Sequence, residues 1–189
     1  MTAIERRRNG SDSLMDRRGD NGMIRVGVIT ISDRGYRGER EDASGKVIQE
    51  MVQALGAEVA FSTMIPDEQE EIKRVLIQGA DEMGLDLIVT TGGTGVSPRD
   101  TTPDATREVI EQEIPGFAEA MRMEGLKKTP YAMISRAVCG VRGKTLIVNL
   151  PGSPKAVREG LEVILPAIPH TIAKLQGDPE ECGGETSGV

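Results

Sequence analysis

Three aspartates stand where strands of a sheet are expected to end, and carboxylates there are suited to holding a divalent cation. Asp33 and Asp67 each follow an apolar run, and Asp100 comes shortly after the glycine-rich segment 92–95. Mg²⁺ in phosphate chemistry is usually held by one or two carboxylates together with substrate phosphates. Each aspartate also has a structural interpretation. Asp67 with Glu70 resembles a helix capping box, and Asp33 and Asp100 are typical turn residues.

Two further segments have the composition of anion-binding sites. Glycine-rich loops let backbone amides approach a ligand closely, and a helix N-terminus that carries a hydroxyl and a lysine attracts phosphate. A tight turn and an ordinary serine cap with an exposed lysine explain the same sequences. The segments are Gly92-Gly93-Thr94-Gly95 and Gly152-Ser153-Pro154-Lys155.

The elements that must position these residues alternate along the chain. Runs rich in β-branched residues predict strands, and apolar residues at helical spacing predict helices between them. Helices covering a mostly parallel sheet on both faces are the usual result, so we expect a three-layer α/β fold with an antiparallel hairpin near its edge. The predicted strands are 23–32, 57–65, 86–91, 135–141 and 144–150; the predicted helices are 43–55, 68–83, 102–113, 117–125, 154–165 and 167–176. Thr102 is expected to cap the third helix and Ser153 the fifth.

Polar sequence follows four of the predicted strands. In an open α/β sheet, ligands bind outside the carboxyl ends of the strands. We therefore expect these segments to share one edge of the sheet and to form one site. They are 32–35, 66–68, 91–100 and 149–155.

The composition excludes several other functions. Two Tyr, two Phe and no Trp leave no platform for stacking bases along a single strand. One His and two widely separated Cys argue against a structural zinc site and fit a reducing compartment. No apolar run approaches the roughly 20 residues of a membrane span, and no apolar N-terminal segment resembles a secretory signal. We expect a cytoplasmic protein with no membrane or nucleic-acid partner.

The ends of the chain differ in composition from its body. Residues 1–22 hold five Arg and four acidic residues without periodicity, and residues 177–189 hold four acidic residues and no basic one. We expect a disordered arm at 1–22, a folded domain at 23–176 and a flexible acidic tail at 177–189. The domain is left with a net charge of −4 and no basic stripe for nucleic acid.

Several motifs, taken together, resemble those of the MogA family of molybdopterin adenylyltransferases, which is related to the G domain of gephyrin. The resemblance runs from about residue 24 to 177 and keeps the order and spacing of the motifs. They read VITISDRG, IPDEQ, TTGGTG, SPRDTTPDAT, EIPGFAEAMR and SRAVCGVRGKTLIVNLPGSPK. The resemblance implies a three-layer α/β homotrimer in molybdenum cofactor biosynthesis. Its members use Mg²⁺ and ATP to adenylylate the terminal phosphate of molybdopterin, release pyrophosphate and pass the product to a separate molybdenum insertase.

The resemblance also implies roles for particular residues. Asp67 and Asp100 match the essential aspartates of the family, and we assign them to catalysis and Mg²⁺. Glu119 is expected near the pocket. The residues that match the substrate pocket are Ser32, Asp33, Gly92, Gly93, Thr94, Gly95, Asn149, Pro151, Gly152, Ser153, Pro154 and Lys155.

Two alternatives remain at this point. Some members of the related MoaB group share the fold but lack adenylylation. A non-catalytic molybdopterin carrier or scaffold is the alternative from another class. The presence of both Asp67 and Asp100 argues for the enzyme.

Overall fold

Strands and helices alternate along residues 22–179, the part of the chain that the computed structural model describes. The elements are β1 (Arg25–Ile31), α1 (Asp33–Tyr36), α2 (Ala43–Gln53), β2 (Glu58–Ile65), α3 (Gln69–Ile77), β3 (Leu87–Thr91), α4 (Thr102–Val109), β4 (Gln112–Glu113), α5 (Pro115–Leu126), β5 (Cys139–Arg142), β6 (Thr145–Leu150), α6 (Pro154–Ile164) and α7 (Ile168–Leu175). A π-helical turn (Gln78–Glu82) continues α3, and 3₁₀ turns lie at Pro130–Ile134 and Leu165–Ala167. Within these residues, no helix is both long and apolar enough to cross a membrane. The predicted arm and acidic tail lie outside the described residues, except for 22 and 177–179.

The six strands form one mixed sheet in the order β2-β1-β3-β6-β5-β4. The first four strands in this order are parallel, and β5 and β4 extend the sheet in antiparallel pairs. The parallel register sets the carboxyl ends of β2, β1, β3 and β6 side by side. The predicted α/β fold with a parallel sheet is therefore confirmed, and the polar strand ends meet at one edge as expected.

Alternate residues of the central strands pack on opposite faces of the sheet. In β3, Leu87 and Val89 face a cluster built with α2, α6 and α7, whereas Ile88 faces a cluster built with α3 and α4. These strand residues are 0–2 % exposed. Both faces are buried, which explains why the strands read as continuous apolar runs.

The helix predicted over 102–113 is shorter than expected. It ends at Val109, and Gln112 and Glu113 pair with β5 as the antiparallel edge strand β4. Backbone bonds to β5 take the place of further helical bonds, since the amide of Glu111 donates to the carbonyl of Val141 at 2.7 Å. The prediction that Thr102 caps the helix is wrong. The cap residue is Thr101, and the Thr102 hydroxyl instead donates to the carbonyl of Gly92 at 2.9 Å.

The first strand of the predicted hairpin also begins later than expected. Residues 135–138 are not strand, and β5 starts at Cys139. The reason is that the amide of Arg136 donates to the carbonyl of Thr94 at 2.8 Å, so this segment follows the glycine loop rather than the sheet. Cys139 itself is packed within the protein. It is fully buried, and burial raises the pKa of its thiol to about 12.

Candidate active site

A cavity of about 340 Å³ opens at the carboxyl ends of β1 and β3. These two strands are neighbours in the sheet, and the chain leaves β1 on one side to form β2 and returns on the other to form β3. This is the point of an open α/β sheet at which strand order reverses and ligands bind. The residues that line the cavity are Thr30, Ile31, Ser32, Gly35, Arg40, Glu41, Asp42, Ala43, Ser44, Met64, Asp67, Thr91, Gly92, Gly93, Asp100, Gly152 and Ser153.

The glycine loop forms one wall of this cavity. Its backbone lies so close to neighbouring groups that only glycine fits at two of its positions. Gly92 and Gly93 have φ values of 103° and 61°. A Cβ on Gly92 would lie 2.2 Å from the carbonyl oxygen of Ile31, and one on Gly93 would lie 2.5 Å from the Thr102 hydroxyl. The close approach lets strand ends and loop share one small space. The amide of Gly92 is already used, since it donates to the carbonyl of Leu150 at 3.2 Å.

Asp33 and Asp67 hold the ends of β1 and β2 together. The carboxylate of Asp67 accepts from the amide of Asp33 at 2.8 Å, and the carboxylate of Asp33 accepts from the amide of Asp67 at 3.1 Å. The capping-box interpretation of Asp67 is wrong, because the residue that caps α3 is Glu68 and it makes no side-chain capping bond. Asp67 is thus fixed at the cavity, with its other oxygen next to Gly93.

Asp100 reaches the cavity from the loop between β3 and α4. Its carboxylate accepts from the amide of Ser97 at 2.8 Å, as the turn interpretation predicted. The same oxygen would lie 2.9 Å from a Cβ on Gly95, so the loop glycine makes room for it. Asp100 is therefore both a turn residue and a residue that lines the cavity.

The electrostatic surroundings of Asp33 and Asp67 differ. Burial raises the pKa of Asp67, the charges of Asp33 and Asp100 raise it further, and the amide of Asp33 and the Arg99 guanidinium offset only part of this. For Asp33, burial opposes ionisation, but the amide of Asp67 and the Arg99 guanidinium outweigh it and lower the pKa. A cation placed between Asp67 and Asp100 would stabilise both carboxylates.

The carboxylates fit a metal that takes most of its ligands from substrate and water. Residues 22–179 contain no cluster of three or more acidic, His or Cys side chains arranged to hold an ion on their own. Mg²⁺ commonly keeps several waters and binds through one or two carboxylates plus substrate phosphates. Asp67 and Asp100 meet that smaller requirement.

The segment after β6 approaches the cavity from the opposite side. Ser153 caps α6, as predicted, by accepting from the amide of Ala156 at 3.2 Å. Gly152 is held in place because its carbonyl accepts from the Ser44 hydroxyl at 2.8 Å. Pro154 and Lys155 do not line the cavity.

Asn149, which was predicted to contact substrate, is not part of the cavity lining. It is 0 % exposed at the end of β6. Its amide nitrogen donates to the hydroxyls of Thr90 and Thr106, and its oxygen accepts from the amide of Val138 at 3.2 Å. These bonds use its polar atoms inside the protein, so Asn149 ties β6 to β3 and α4 beneath the site.

A second cavity, of about 250 Å³, lies on the other side of the glycine loop. Thr94, Gly95 and Pro151, which were predicted in one substrate pocket with the rest, line this cavity instead. Its other walls come from α5, α6 and the turn at Pro130–Ile134, and they are mostly apolar. Glu119 is exposed and lines neither cavity. The apolar residues that line the second cavity are Ala118, Met121, Ala132, Ile134, Ala137, Pro151 and Ala156, together with the ring of Tyr131.

Arg99 and Arg136, which were not among the predicted site residues, hold the loop that carries Asp100. The Arg99 guanidinium bridges Asp33 and Glu68 at 2.9 Å each. Arg136 donates to the carbonyl of Gly95 at 2.8 Å and to the carbonyl of Asp100, so it joins both ends of the loop. Arg136 is the second residue of a motif that had already been singled out, but its partners are distant in sequence and no local pattern indicates them.

The loop before α2 supplies the remaining wall, and it was also missed. Asp42 caps α2 by accepting from the amide of Gly45 at 2.7 Å, and its other oxygen accepts from the Thr30 hydroxyl at 2.8 Å. An aspartate immediately before a predicted helix is a recognisable capping signal. That signal, placed after the end of β1, would have indicated this wall.

The fold and the cavity together define an open α/β protein with a cavity at the switch point of its sheet, where proteins of this class bind ligands. The sequence profile of the family described as "Probable molybdopterin binding domain" matches residues 27–170. The chain belongs to this family.

The relatives of the chain carry related names. It is 46% identical over 157 residues to a protein of Helicobacter pylori named molybdopterin adenylyltransferase, covering 82% of this chain and 89% of that one. It is 39% identical over 176 residues to the Escherichia coli K12 protein of the same name, covering 86% and 90%. Among solved structures, the molybdopterin biosynthesis enzyme MoaB of Thermus thermophilus is 54% identical, with a TM-score of 0.79 over 84% of this chain and 100% of that one.

Proposed function

We propose that this protein transfers the adenylyl group of ATP to the terminal phosphate of molybdopterin and so acts in molybdenum cofactor biosynthesis. The observation that carries the proposal is the juxtaposition of Asp67 and Asp100 with the glycine loop in one cavity at the strand ends. Relatives named molybdopterin adenylyltransferase match most of the chain and support the same assignment.

Asp67 and Asp100 would hold Mg²⁺ in this reaction. The ion supplies charge neutralisation for the phosphates of ATP. The residues fit this task because each carboxylate already accepts one backbone amide and has oxygen capacity left over. The raised pKa of Asp67 indicates a carboxylate that gains from a nearby cation.

The reaction needs orientation more than proton transfer. A phosphate oxygen of molybdopterin forms a bond to the α-phosphorus of ATP while the bond to the bridging oxygen breaks and pyrophosphate leaves. A phosphate is already ionised at neutral pH, so no strong general base is required. Catalysis then depends on holding nucleophile and leaving group in line and on fixed charges around them. A chain with one His suits such a reaction.

Several of the predicted substrate residues are placed to orient those phosphates. Ser32 and Ser153 bring hydroxyls to the cavity from β1 and α6, and Gly92, Gly93 and Gly152 bring backbone. Asp33 has a supporting role, because it fixes Asp67 and Arg99.

The first experiment combines purified protein, molybdopterin, ATP and Mg²⁺ and measures pyrophosphate. We expect release by the unmodified protein, none by Asp100→Ala, and molybdopterin binding by both. Full activity in both Asp67→Ala and Asp100→Ala would overturn the mechanism.

A non-catalytic molybdopterin carrier or scaffold is the second candidate. The chain is 54% identical to a protein named MoaB, and some members of the group of that name lack adenylylation. Molybdopterin binding without pyrophosphate release by the unmodified protein would select this candidate.

The remaining partners follow from the same proposal. The adenylylated product would pass to a separate molybdenum insertase in the cytoplasm. Three copies of the chain would associate, and the exposed apolar side chains Met123, Tyr131, Met133 and Ile134 offer surface for burial between copies. Light scattering after size exclusion would test this, with the mass of three chains expected.

A further inference from the structure

The charges that line the polar cavity are unbalanced. Among residues 22–179, the acidic side chains in its lining are Glu41, Asp42, Asp67 and Asp100, and the one basic side chain is Arg40. ATP and molybdopterin would both bring phosphate into this acidic space. Positive charge must come from the bound cation and from the protein, and among the described residues that line the cavity Arg40 is the one that supplies it.

The acidic neighbours of Arg40 are already engaged with other groups. Asp42 accepts from Thr30 and from the amide of Gly45, and Glu41 lies 3.8 Å from Lys46. Asp67 and Asp100 accept backbone amides. Among residues 22–179, none forms a hydrogen bond or ion pair with the Arg40 guanidinium.

Three other arginines around the site, Arg37, Arg99 and Arg136, are committed to structural contacts. Arg37 pairs with Glu39 at 2.8 Å. Arg99 bridges Asp33 and Glu68, and Arg136 holds Asp104 and the loop carbonyls. Moving any of these to a ligand would break existing bonds, whereas Arg40 has none to break with residues 22–179.

Arg40 is also carried by a well-anchored segment. On one side of it, the amide of Glu39 donates to the carbonyl of Arg34 at 2.9 Å, and on the other Asp42 caps α2. The backbone is therefore placed before a ligand arrives, and only the side chain has to be ordered. This limits the entropic cost of binding.

We propose that Arg40 binds a phosphate group of the substrates in the polar cavity, as the protein's own cationic contact beside the carboxylate-held Mg²⁺. The proposal rests on the proposed function for the identity of the ligands. The phosphate comes either from the ATP triphosphate or from the terminal phosphate of molybdopterin, and the guanidinium suits both because its fork matches phosphate geometry.

The test is calorimetric binding of two phosphate ligands, ATP with Mg²⁺ and molybdopterin, to the full chain and its variants. Arg40→Gln should weaken one of the two ligands by roughly 10- to 100-fold, the usual value of a hydrogen bond to a charged group. Arg40→Lys should recover part of the loss, because it keeps the charge without the fork. Adenosine, which lacks phosphate, should bind all proteins equally.

Arg37→Gln is the matched control. It removes the same group three positions earlier, outside the cavity lining, and should bind both ligands within about twofold of the unmodified protein. The weakened ligand identifies the phosphate that Arg40 contacts. Equal binding by Arg40→Gln and Arg37→Gln would overturn the proposal while leaving the proposed function intact. Weak binding by Arg40→Gln alone, with no pyrophosphate release by the unmodified protein, would support the contact and overturn the proposed adenylyl transfer.

Discussion

The two cavities share the glycine loop as a wall but differ in what surrounds it. The polar cavity is lined by carboxylates, hydroxyls and one arginine at the carboxyl ends of β1 and β3. The apolar cavity, formed with α5 and α6, is lined mainly by Ala, Met and Ile side chains. Gly92 and Gly93 belong to the first, whereas Thr94 and Gly95 belong to the second.

The two cavities are suited to different tasks, although the glycine loop contributes to both. Several carboxylates close together at the strand ends cost free energy when no ligand is bound, as the raised pKa of Asp67 indicates. The same carboxylates can bind a cation that accompanies phosphate. An apolar cavity can bury ligand or protein surface but has little to offer a phosphate. We therefore place the chemistry in the polar cavity.

The largest expected effect on kcat comes from replacing a carboxylate of the polar cavity, whereas replacing a carboxylate of the apolar cavity should change kcat little. Asp67→Asn should lower kcat about 10³-fold, because it removes charge from the cation site while its amide oxygen can still accept from Asp33. Glu159→Gln, the equivalent change in the apolar cavity, should stay within about twofold, since its ion pair with Lys128 is partly exposed. Steady-state pyrophosphate release measures both. Equal losses in the two variants would remove the distinction between the cavities.

A smaller effect is expected from the arginine that supports the loop between the cavities. Arg136→Lys cannot reproduce the fork that joins Gly95, Asp100 and Asp104, so Asp100 should be misplaced and kcat should fall roughly 10- to 100-fold. The Mg²⁺ concentration for half-maximal activity should rise as well. That second change distinguishes a positioning role from loss of stability.

Arg142→Lys is the control for this variant. Arg142 forms a similar fork with Asp81 and the carbonyl of Val109, away from either cavity. It should lower the melting temperature without changing the Mg²⁺ requirement. An unchanged Mg²⁺ requirement in Arg136→Lys would contradict the positioning role.

A third prediction concerns pH. Since the pKa of Asp67 is raised when no cation is bound, protons should compete with Mg²⁺ for its carboxylate at a higher pH than they would for an ordinary aspartate. Asp33→Asn removes one of the charges that raise this pKa, so the acid limb of kcat against pH should move to lower pH by less than about one unit. Glu68→Gln, which also pairs with Arg99, should leave the limb in place. A shift of the acid limb to higher pH in Asp33→Asn would contradict the assignment of this limb to Asp67.

The smallest effect is on stability. A raised pKa in the folded state means that the ionised Asp67 destabilises the fold above the ordinary aspartate pKa, and that this penalty disappears as the pH falls below it. Without Mg²⁺ at pH 7, Asp67→Asn should therefore melt about 1–2 °C higher than the unmodified protein. The gap should close toward pH about 4. Differential scanning calorimetry at both pH values measures this difference in melting temperature. A lower melting temperature of Asp67→Asn at pH 7 would contradict the prediction.

Much of this arrangement could be predicted from the sequence, because parallel strands leave their carboxyl ends at one edge. The buried runs ending near Ile31, Ile65 and Thr91 were sufficient to place Asp67 and Asp100 together. The glycine loop was recognised for the same reason. Local patterns carry such information whenever an element's position follows from its own periodicity and the rules of sheet topology.

The errors occurred where distant contacts outweigh local preference. The segment 110–113 continues a helical pattern, but pairing with β5 turns it into an edge strand. The motif that contains Asn149 gave no indication of its bonds to Thr90, Thr106 and Val138, which hold it beneath the cavity. Arg136 acts through partners more than 30 residues away in sequence, which no local pattern indicates.

The most direct test of the central claim follows the phosphorus atoms of ATP. The protein would be incubated with molybdopterin and Mg²⁺, using ATP labelled either at the α-phosphate or at the γ-phosphate, and the pterin product would be isolated. Adenylyl transfer in the polar cavity predicts α-label in the product, with an equal amount of pyrophosphate released and no γ-label transferred. Transfer of γ-label, or binding of the pterin without any transfer, would contradict the account.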